Sequence, residues 1–461
     1  MNQLFTVPKD IMADREDAPM IQIEPEKVIE TLKKYMLIDG FHIVVDLEKS
    51  QGSHLVDARD GREYLDFFSF FASNPVGFNH PKMLEPEFTK KLLRAAIHKP
   101  SNSDFYTVEL AEFAETFSQL ALPDDFKHLF LIEGGALAVE NALKAAFDWK
   151  VRKNFEKGYR GEKGKQIIHF REAFHGRTGY TLSLTNTADK RKTKYFAKFD
   201  WPRVLNPKIT FPLTEQNLEK VKEAERVSLN QIKQAIYNNP DDIAAIVIEP
   251  IQGEGGDNHF RGEFLRALRQ IADENEILLI FDEVQTGVGI TGKMWAHQHF
   301  DVVPDIMAFG KKTQVCGIAA TSRIDEVENN VFKESGRINS TWGGNLTDMV
   351  RATRYLEIIH QENLVENAHV VGEYFVERIQ QLQQQFPELI SNARGRGLFI
   401  AFDLPSSEIR NKLFAETFKH RVIVLKSGVK SIRFRPSLNI TKAEVDEGIE
   451  LLRSCIEIVA G

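Results

Sequence analysis

Two apolar runs in the middle of the chain end in charged side chains. The run ILLIF ends at Asp282 and Glu283, and the later run IMAFG ends at Lys311 and Lys312. Pyridoxal phosphate chemistry uses such a pair, because a lysine amine forms a Schiff base with the cofactor aldehyde while a carboxylate keeps the pyridine nitrogen protonated. We predict Lys311 as the Schiff-base residue, with Lys312 as the alternative, and Asp282 as the partner of the ring nitrogen.

The spacing of these residues favours a common edge of one sheet. Glu249 ends a third apolar run, AAIVI. Glu249, Asp282 and Lys311 follow one another at intervals close to the roughly 30 residues of a strand, a crossover helix and a parallel strand. Because open α/β sheets bind ligands at the carboxyl ends of their strands, the three side chains are expected around one site. The alternative is that they are solvated loop charges.

Two glycine-containing loops could bind a phosphate and a flat ring. EGGA places Gly135 and Ala136 at a helix start, where free backbone N–H groups can hold a phosphate. REAFHGRTG offers Phe174 and His175 for stacking on a ring, and Arg177 for binding a carboxylate. An ordinary helix start and a surface arginine are the alternative interpretations.

Other polar side chains lie in loops or on a strand near the C-terminus. Glu254, in EPIQGEGG, is flanked by glycines, so we expect its backbone to move easily and its side chain to change position. Ser340 and Thr341, in RINSTWGGN, are possible phosphate donors. Arg433 and Arg435 alternate with apolar residues on one strand, so they are expected to face the same side.

The composition is that of a soluble globular protein, with 42% hydrophobic and 27% charged residues and a net charge of −7. The mild negative charge argues against a nucleic-acid-binding protein. No apolar run approaches the ~20 residues that cross a membrane, and the N-terminus shows no secretory signal. Cys316 and Cys455 have no pairing motif, which is typical of a reducing compartment, so a cytoplasmic location is expected.

The order of the elements predicts an α/β fold with two domains. Strands and helices alternate after residue 122, which indicates a mostly parallel sheet flanked by helices. Residues 1–75 are predicted as a helix and β-meander that pack with the small domain. Residues 76–345 are predicted as the large cofactor-binding domain, and 346–461 as a bridging helix and a smaller α+β domain.

Over nearly its whole length the sequence resembles the class III aminotransferases, which have the pyridoxal phosphate fold type I. The resemblance rests on EGGALAVENALKAA, AFHGRTGYTLSLTNT, EPIQGEGGD, FDEVQTGVGITG, FGKK and STWGGN. It implies that Gln285 lies near the ring hydroxyl and the substrate, and that Arg177 binds the distal carboxylate. It also implies that Arg433 binds the α-carboxylate of the keto acid. Glu254 would pair with Arg433 when the substrate presents an amine, and would swing away for 2-oxoglutarate.

The resemblance further implies a homodimer with shared active sites, because the family takes a phosphate contact, here Thr341, from the partner subunit. Glu249 and Ser340 are expected among the cofactor contacts. Asn339 and the aromatic run at residues 67–71 are expected to shape the pocket for the amino donor.

Within the class, KPSNSDFYT, KFDWPR, DIMAFGKKTQVCG and RINSTWGGNLTDMVRA are most similar to enzymes that transfer the ε-amino group of L-lysine to 2-oxoglutarate. The expected products are L-glutamate and 2-aminoadipate 6-semialdehyde, which cyclises to piperideine-6-carboxylate. Transamination of 4-aminobutyrate or ornithine is the nearest alternative. A pyridoxal phosphate racemase on the same scaffold is the alternative of another class. No metal site, nucleic-acid partner or membrane partner is predicted.

Overall fold

The central element of the fold is a seven-stranded sheet of order β3-β11-β10-β9-β6-β4-β5, seen in a computed structural model that describes residues 21–461. The strands are β1 His54–Val56, β2 Glu63–Asp66, β3 Phe126–Ile132, β4 Gln166–Phe170, β5 Arg203–Val204, β6 Ile243–Ile248, β7 Ile251–Gln252, β8 Asn258–His259, β9 Leu278–Asp282, β10 Ile306–Phe309, β11 Cys316–Thr321, β12 Ser391–Arg396, β13 Phe399–Asp403, β14 Val422–Ile423, β15 Leu425–Ser427 and β16 Ser431–Phe434. Within the seven-stranded sheet, β11 pairs antiparallel with both β10 and β3, and the other pairings are parallel. Residues 1–20 of the predicted N-terminal segment lie outside the described residues.

Helices cover both faces of this sheet, so β6, β9 and β10 are buried along their whole length. The helices are α1 Val28–Lys33, α2 Ser69–Ala72, α3 Pro86–Ile97, α4 Val108–Leu120, α5 Gly135–Glu156, α6 Gly179–Leu184, α7 Glu215–Asn238, α8 Gly262–Glu274, α9 Leu346–Gln361, α10 Leu364–Gln385, α11 Ser407–Lys419 and α12 Lys442–Ala460. Among the described residues, no helix is long and apolar enough to cross a membrane.

The predicted strand ends meet as expected. β6 pairs in parallel with β9, with Ile248 opposite Phe281, and β9 pairs in parallel with β10, with Asp282 opposite Ala308. The predicted helix in the first interval is α8. The carboxyl ends of β6, β9 and β10 therefore lie side by side.

The prediction of a crossover helix between β9 and β10 is wrong. That interval contains turns and the short 3-10 helix Ala296–His299. A Cβ on Gly287 would lie 2.3 Å from the Trp295 ring, so the chain folds back closely on the indole. The glycine-rich sequence favours this tight turn over a helix, which glycine disfavours.

Strands near both chain ends form smaller sheets. β12, β13, β16 and β15 make an antiparallel sheet, and β14 from the C-terminal part pairs in parallel with β2. The run RGRGLFIAFDL contributes to both β12 and β13, because the chain turns at Gly397 (φ 54°). The predicted bridging helix is two helices, α9 and α10, which are divided at Asn363 (φ 51°). The fold class is confirmed, and the domain boundaries at 75/76 and 345/346 stay predictions.

The short element α2 is a left-handed turn. Ser69, Phe70, Phe71 and Ala72 have φ values of 38°, 53°, 59° and 66°. L-residues rarely adopt this conformation, which costs roughly 1–2 kcal/mol per residue. Several contacts hold it: the Asp66 carboxylate accepts backbone N–H bonds from residues 68 and 69, and the Ser69 hydroxyl donates to a carbonyl of residue 435 at 2.5 Å.

We expect Asp66→Asn to stabilise the protein at alkaline pH. Burial raises the pKa of the Asp66 carboxyl to about 6, against the lowering effect of its two backbone N–H bonds. The unfolded chain loses this proton near pH 4, so stability falls as the pH rises from about 4 to 6 and stays lower above that range. An asparagine oxygen keeps the N–H bonds without the buried charge.

The variant should gain up to about 3 kcal/mol in the free energy of unfolding at pH 8, and the gain should shrink towards pH 5. Urea unfolding at both pH values measures this. An equal difference at pH 5 and pH 8 would contradict the assigned pKa.

Candidate active site

A cavity of about 560 Å³ lies at the carboxyl ends of the parallel strands. The predicted site residues that line it are Gly135, Ala136, Phe174, His175, Arg177, Glu249, Glu254, Asp282, Gln285 and Lys311. The structure thus brings together side chains predicted from separate strand ends and loops. Arg433 does not line the cavity itself, and neither do the residues of the loop 339–341.

The two adjacent lysines have different environments. Lys311 lines the cavity, and burial lowers the pKa of its amine. Lys312 is only 2% exposed, and its Nζ donates to the carbonyl oxygens of Gln285 at 3.0 Å and Ala72 at 3.3 Å. The left-handed backbone of Lys311 (φ 55°) separates the two side chains. Lys311 is therefore the lysine that a ligand in the cavity can reach.

Asp282 is held from two sides at the end of β9. Its Oδ1 accepts the backbone N–H of Val284 at 3.0 Å, and its Oδ2 lies 2.8 Å from Nδ1 of His175. Although burial lowers the pKa of the His175 imidazole, the hydrogen bond and charge of Asp282 outweigh it, so that this pKa is raised. His175 was predicted to stack on a ring. The structure adds a second role that the sequence did not predict, in which the imidazole orients the Asp282 carboxylate.

Glu249 joins the loops on either side of the cavity. Its Oε1 accepts the backbone N–H of Phe174 at 2.9 Å, and its Oε2 accepts that of Gly253 at 3.0 Å. Burial raises the pKa of the Glu249 carboxyl to about 7. Glu249 thereby fixes the backbone that carries the Phe174 ring.

The opposite end of the cavity is formed by the start of α5, where Gly134, Gly135 and Ala136 line it. The first N–H groups of a helix lack partners within the helix and attract anions. A Cβ on Gly135 would lie 2.8 Å from Cγ1 of Val284, and one on Gly176 would lie 2.5 Å from the Cβ of Ala136. Glycine at these positions permits the close packing of the α5 start against Val284 and of the Gly176 loop against Ala136.

These residues fit pyridoxal phosphate. The α5 start would hold the phosphate, Asp282 the pyridine nitrogen and Lys311 the aldehyde carbon, which matches the donor, acceptor and amine that the cofactor needs. His175 supplies a further polar group, since its Nε2 is buried and has no partner among the described residues.

Gln285 connects the cavity to the small antiparallel sheet. Its Oε1 accepts hydrogen bonds from Nη1 of Arg433 at 3.0 Å and from Nε of Arg435 at 3.1 Å. The two arginines therefore face the same side, as predicted, although Arg435 lies one residue beyond the end of β16. Arg435 also forms a fully buried ion pair with Asp257, which indicates a structural role. Arg433 Nε has no hydrogen-bond partner within residues 21–461, so this arginine keeps a free donor beside the Gln285 amide.

Glu254 contacts neither arginine in this structure. Its Oε1 accepts hydrogen bonds from Nζ of Lys192 at 2.6 Å and from Oγ1 of Thr187 at 2.7 Å. This arrangement is compatible with the predicted state in which Glu254 has moved away from Arg433.

Close packing argues against the easily moving backbone expected around Glu254. A Cβ on Gly255 would lie 1.9 Å from the carbonyl oxygen of Glu172, and one on Gly253 would lie 2.4 Å from Oε1 of Gln285. The N–H of Gly428 also donates to the Glu254 carbonyl at 2.8 Å. The glycines thus permit close packing of a fixed loop, and any movement belongs to the Glu254 side chain.

The remaining predicted residues lie outside this cavity. Asn339, Ser340 and Thr341 form a turn packed on the segment 101–106, where the Ser103 hydroxyl donates to the Ser340 carbonyl at 2.8 Å. Within the aromatic run 67–71, Phe67 is buried in the core and Phe71 is half exposed. The next residue beyond the left-handed turn, Ser73, is the one that reaches the cavity.

Sequence reasoning missed several residues around the site. They are Ser73, Gly134, Thr187, Lys192, Val284 and Gln314. Gly134 stands in the EGGA motif and Thr187 in LSLTNT, so these motifs pointed towards them. Gln314, whose amide donates to the Ser73 carbonyl at 2.7 Å, stands in DIMAFGKKTQVCG, whereas Ser73 and Lys192 lie in none of the quoted motifs.

Comparisons with known proteins agree with this geometry. The Aminotransferase class-III family matches residues 37–456. L-lysine-epsilon aminotransferase of Mycobacterium tuberculosis is 52% identical over 94% of this chain and 96% of its own length. Human mitochondrial 4-aminobutyrate aminotransferase is 32% identical over 92% of this chain and 87% of its own length.

A solved structure of lysine aminotransferase from M. tuberculosis in the internal aldimine form has a TM-score of 0.93 at 51% identity, covering 95% of this chain and all of that one. The chain therefore belongs to the class III aminotransferase family, whose enzymes use pyridoxal phosphate. The predicted family, fold type and cofactor are confirmed.

Proposed function

We propose that this protein transfers the ε-amino group of L-lysine to 2-oxoglutarate. The observation that carries the proposal is the 52% identity, over nearly the full length of both chains, to a protein named L-lysine-epsilon aminotransferase. The named 4-aminobutyrate aminotransferase is far less similar, at 32% identity. The products would be L-glutamate and 2-aminoadipate 6-semialdehyde, which cyclises to piperideine-6-carboxylate.

The chemistry supplied by the bound cofactor is the withdrawal of electrons from the substrate carbon that carries the amino group. Lys311 Nζ would take the proton from that carbon and return it, acting as general base and then as general acid. Burial, which lowers the pKa of this amine, favours its neutral, proton-accepting form.

The other cavity residues orient the reactants. Asp282, whose carboxylate is bonded to His175, would pair with the ring nitrogen, and Phe174 would offer a flat face to the ring. Arg177 is exposed at the cavity, makes no hydrogen bond to another described side chain and is available to bind the distal carboxylate of either substrate. Arg433 would bind the α-carboxylate of 2-oxoglutarate after the Gln285 amide moves aside.

Both half-reactions would use this one site, so ping-pong kinetics are expected. The donor is tested by glutamate formation from 2-oxoglutarate with L-lysine, L-ornithine or 4-aminobutyrate, together with an assay for the cyclic product. Because one methylene changes discrimination by about 10–200-fold, we expect kcat/KM for L-lysine to exceed that for L-ornithine at least tenfold. Preference for another donor would refute the lysine assignment, and racemisation without glutamate formation would favour the racemase alternative.

We also propose a homodimer in which Thr341 completes the phosphate site of the partner. The loop 339–341 lies outside its own cavity and is bonded to Ser103, and the exposed apolar side chains of the two segments include Phe105, Tyr106 and Trp342. Sedimentation of the purified protein measures the oligomeric state directly. The two buried, unpaired cysteines support a reducing cytoplasmic location.

A further inference from the structure

The geometry points to Lys192 as a positioning residue that, with Thr187, binds Glu254 in its released state and so keeps Arg433 available to the keto acid. This inference rests on the proposed function, because it concerns how one site accepts both an amine end and a dicarboxylate. Lys192 ends the short 3-10 helix Lys190–Lys192, which no sequence motif connected with the reaction.

The contacts of the Glu254 carboxylate support a specific site. Lys192 Nζ donates to Oε1 at 2.6 Å, and the hydroxyl of Thr187, which is only 1% exposed, donates to the same oxygen at 2.7 Å. The ion pair is partly shielded, with the Glu254 side chain 18% exposed and that of Lys192 33% exposed. A charge-assisted bond of this kind, shielded from water, outweighs an ordinary surface pair.

The surroundings of this site are electropositive. A neighbouring cavity of about 400 Å³ on this side of Glu254 is lined by Lys192, Arg410 and Lys426, and by an ion pair of Arg191 with Asp189. Burial and then the charges of Arg410 and Arg191 lower the pKa of the Lys426 amine. A carboxylate placed here therefore gains from more than one positive charge.

The alternative position of Glu254 is within reach of its side chain. The preceding residue, Gly253, packs against Oε1 of Gln285, and Nη1 of Arg433 is bonded to that same oxygen. The loop backbone is fixed, so rotation of the Glu254 side chain is the movement that the structure allows. Glu254 thus has two competing cations, Lys192 on one side and Arg433 on the other.

Competition between the two cations has a kinetic consequence. When Glu254 pairs with Arg433, that arginine cannot bind a substrate carboxylate. The apparent affinity for 2-oxoglutarate is therefore the intrinsic affinity multiplied by the fraction of molecules in which Arg433 is free of Glu254. Removing the Lys192 charge should therefore weaken 2-oxoglutarate binding without weakening that of the amino donor.

The test is Lys192→Gln, with Lys190→Gln as the matched control, because Lys190 is an exposed lysine on the same turn that does not contact Glu254. The two half-reactions are followed separately by stopped-flow absorbance. We expect about tenfold weaker apparent binding of 2-oxoglutarate for Lys192→Gln, no weakening for the donor, and no change for the control.

A second measurement does not depend on turnover. Glutarate has both carboxylates of 2-oxoglutarate but no keto group, so its binding can be measured by calorimetry on the holoenzyme. Lys192→Gln should weaken glutarate binding about tenfold in the wild-type background and leave it unchanged in a Glu254→Gln background. Because this measurement needs no donor, it remains decisive if L-lysine proves to be the wrong substrate.

Two results would overturn the inference. Equal effects of Lys192→Gln on both half-reactions would show that Lys192 acts on the cofactor. The Lys192 amine lies 5.9 Å from the centre of the Phe174 ring, which is predicted to stack on that cofactor. An undiminished effect in the Glu254→Gln background would show that Lys192 acts independently of Glu254.

Discussion

Lys311→Ala is expected to abolish transamination, with a loss on the order of 10⁴-fold or more in kcat. Lys311 is the lysine that lines the cavity, and burial lowers the pKa of its amine. The variant loses both the amine that links to the cofactor and the general base at the substrate carbon, and the base alone contributes up to about 10⁴-fold. It should also lose the visible absorbance of lysine-linked pyridoxal phosphate, which spectroscopy records without turnover.

Lys312→Ala is the matched control, since it removes the adjacent amine. Its Nζ binds two carbonyl oxygens, so the variant should unfold at a lower temperature yet keep the absorbance band and measurable activity. Retention of the band in Lys311→Ala and its loss in Lys312→Ala would reverse the assignment.

Asp282→Asn is expected to lower kcat by about 10³-fold. The amide keeps the size of the carboxylate and its bond from the Val284 N–H, but removes the negative charge. A charge pair at about 4 Å is worth about 4 kcal/mol at an effective dielectric constant of 20, which corresponds to about three powers of ten in rate. Single-turnover kinetics with saturating cofactor measure the effect on the chemical step.

Glu283→Gln separates this effect from a general loss of structure. Glu283 is the neighbouring carboxylate, but it is buried away from the cavity, where it accepts bonds from His297 and Thr286. We expect this variant to lose thermal stability while its rate of chemistry changes little. Similar kcat losses in both variants would argue against a special role for Asp282.

The sequence predicted the sheet edge of the site well because apolar runs report buried strands. β6, β9 and β10 are fully buried, so their uninterrupted apolar stretches ended at Glu249, Asp282 and the Lys311 turn. The choice between Lys311 and Lys312 depended on a single left-handed backbone angle, which residue types did not reveal. Periodicity therefore predicted where the lysines lie, and only the folded backbone shows which one faces the cavity.

Contacts between distant segments could not be predicted from the sequence. Glu254 meets Lys192 because the segment after α6 folds over the loop after β7, and Gln285 meets Arg433 because the small sheet packs against the turn after β9. Neither pair has a sequence spacing that a helix or hairpin would fix. The glycines around Glu254 suggested a mobile loop, but glycine serves both mobility and close packing. Only the atoms that neighbour each glycine in the fold distinguish the two.

The left-handed turn Ser69–Ala72 limits which substitutions the chain can accept beside the cavity. Phe70 and Phe71 are 40% and 50% exposed, so solvent leaves room for many side chains there. Backbone chirality still disfavours the β-branched ones, because a β-branched residue at φ near 55° clashes with its own main chain. Glycine is the replacement that these positions accept most readily, and asparagine follows it. Mutational tolerance at this surface thus depends on the mirror sense of the backbone as well as on polarity and volume.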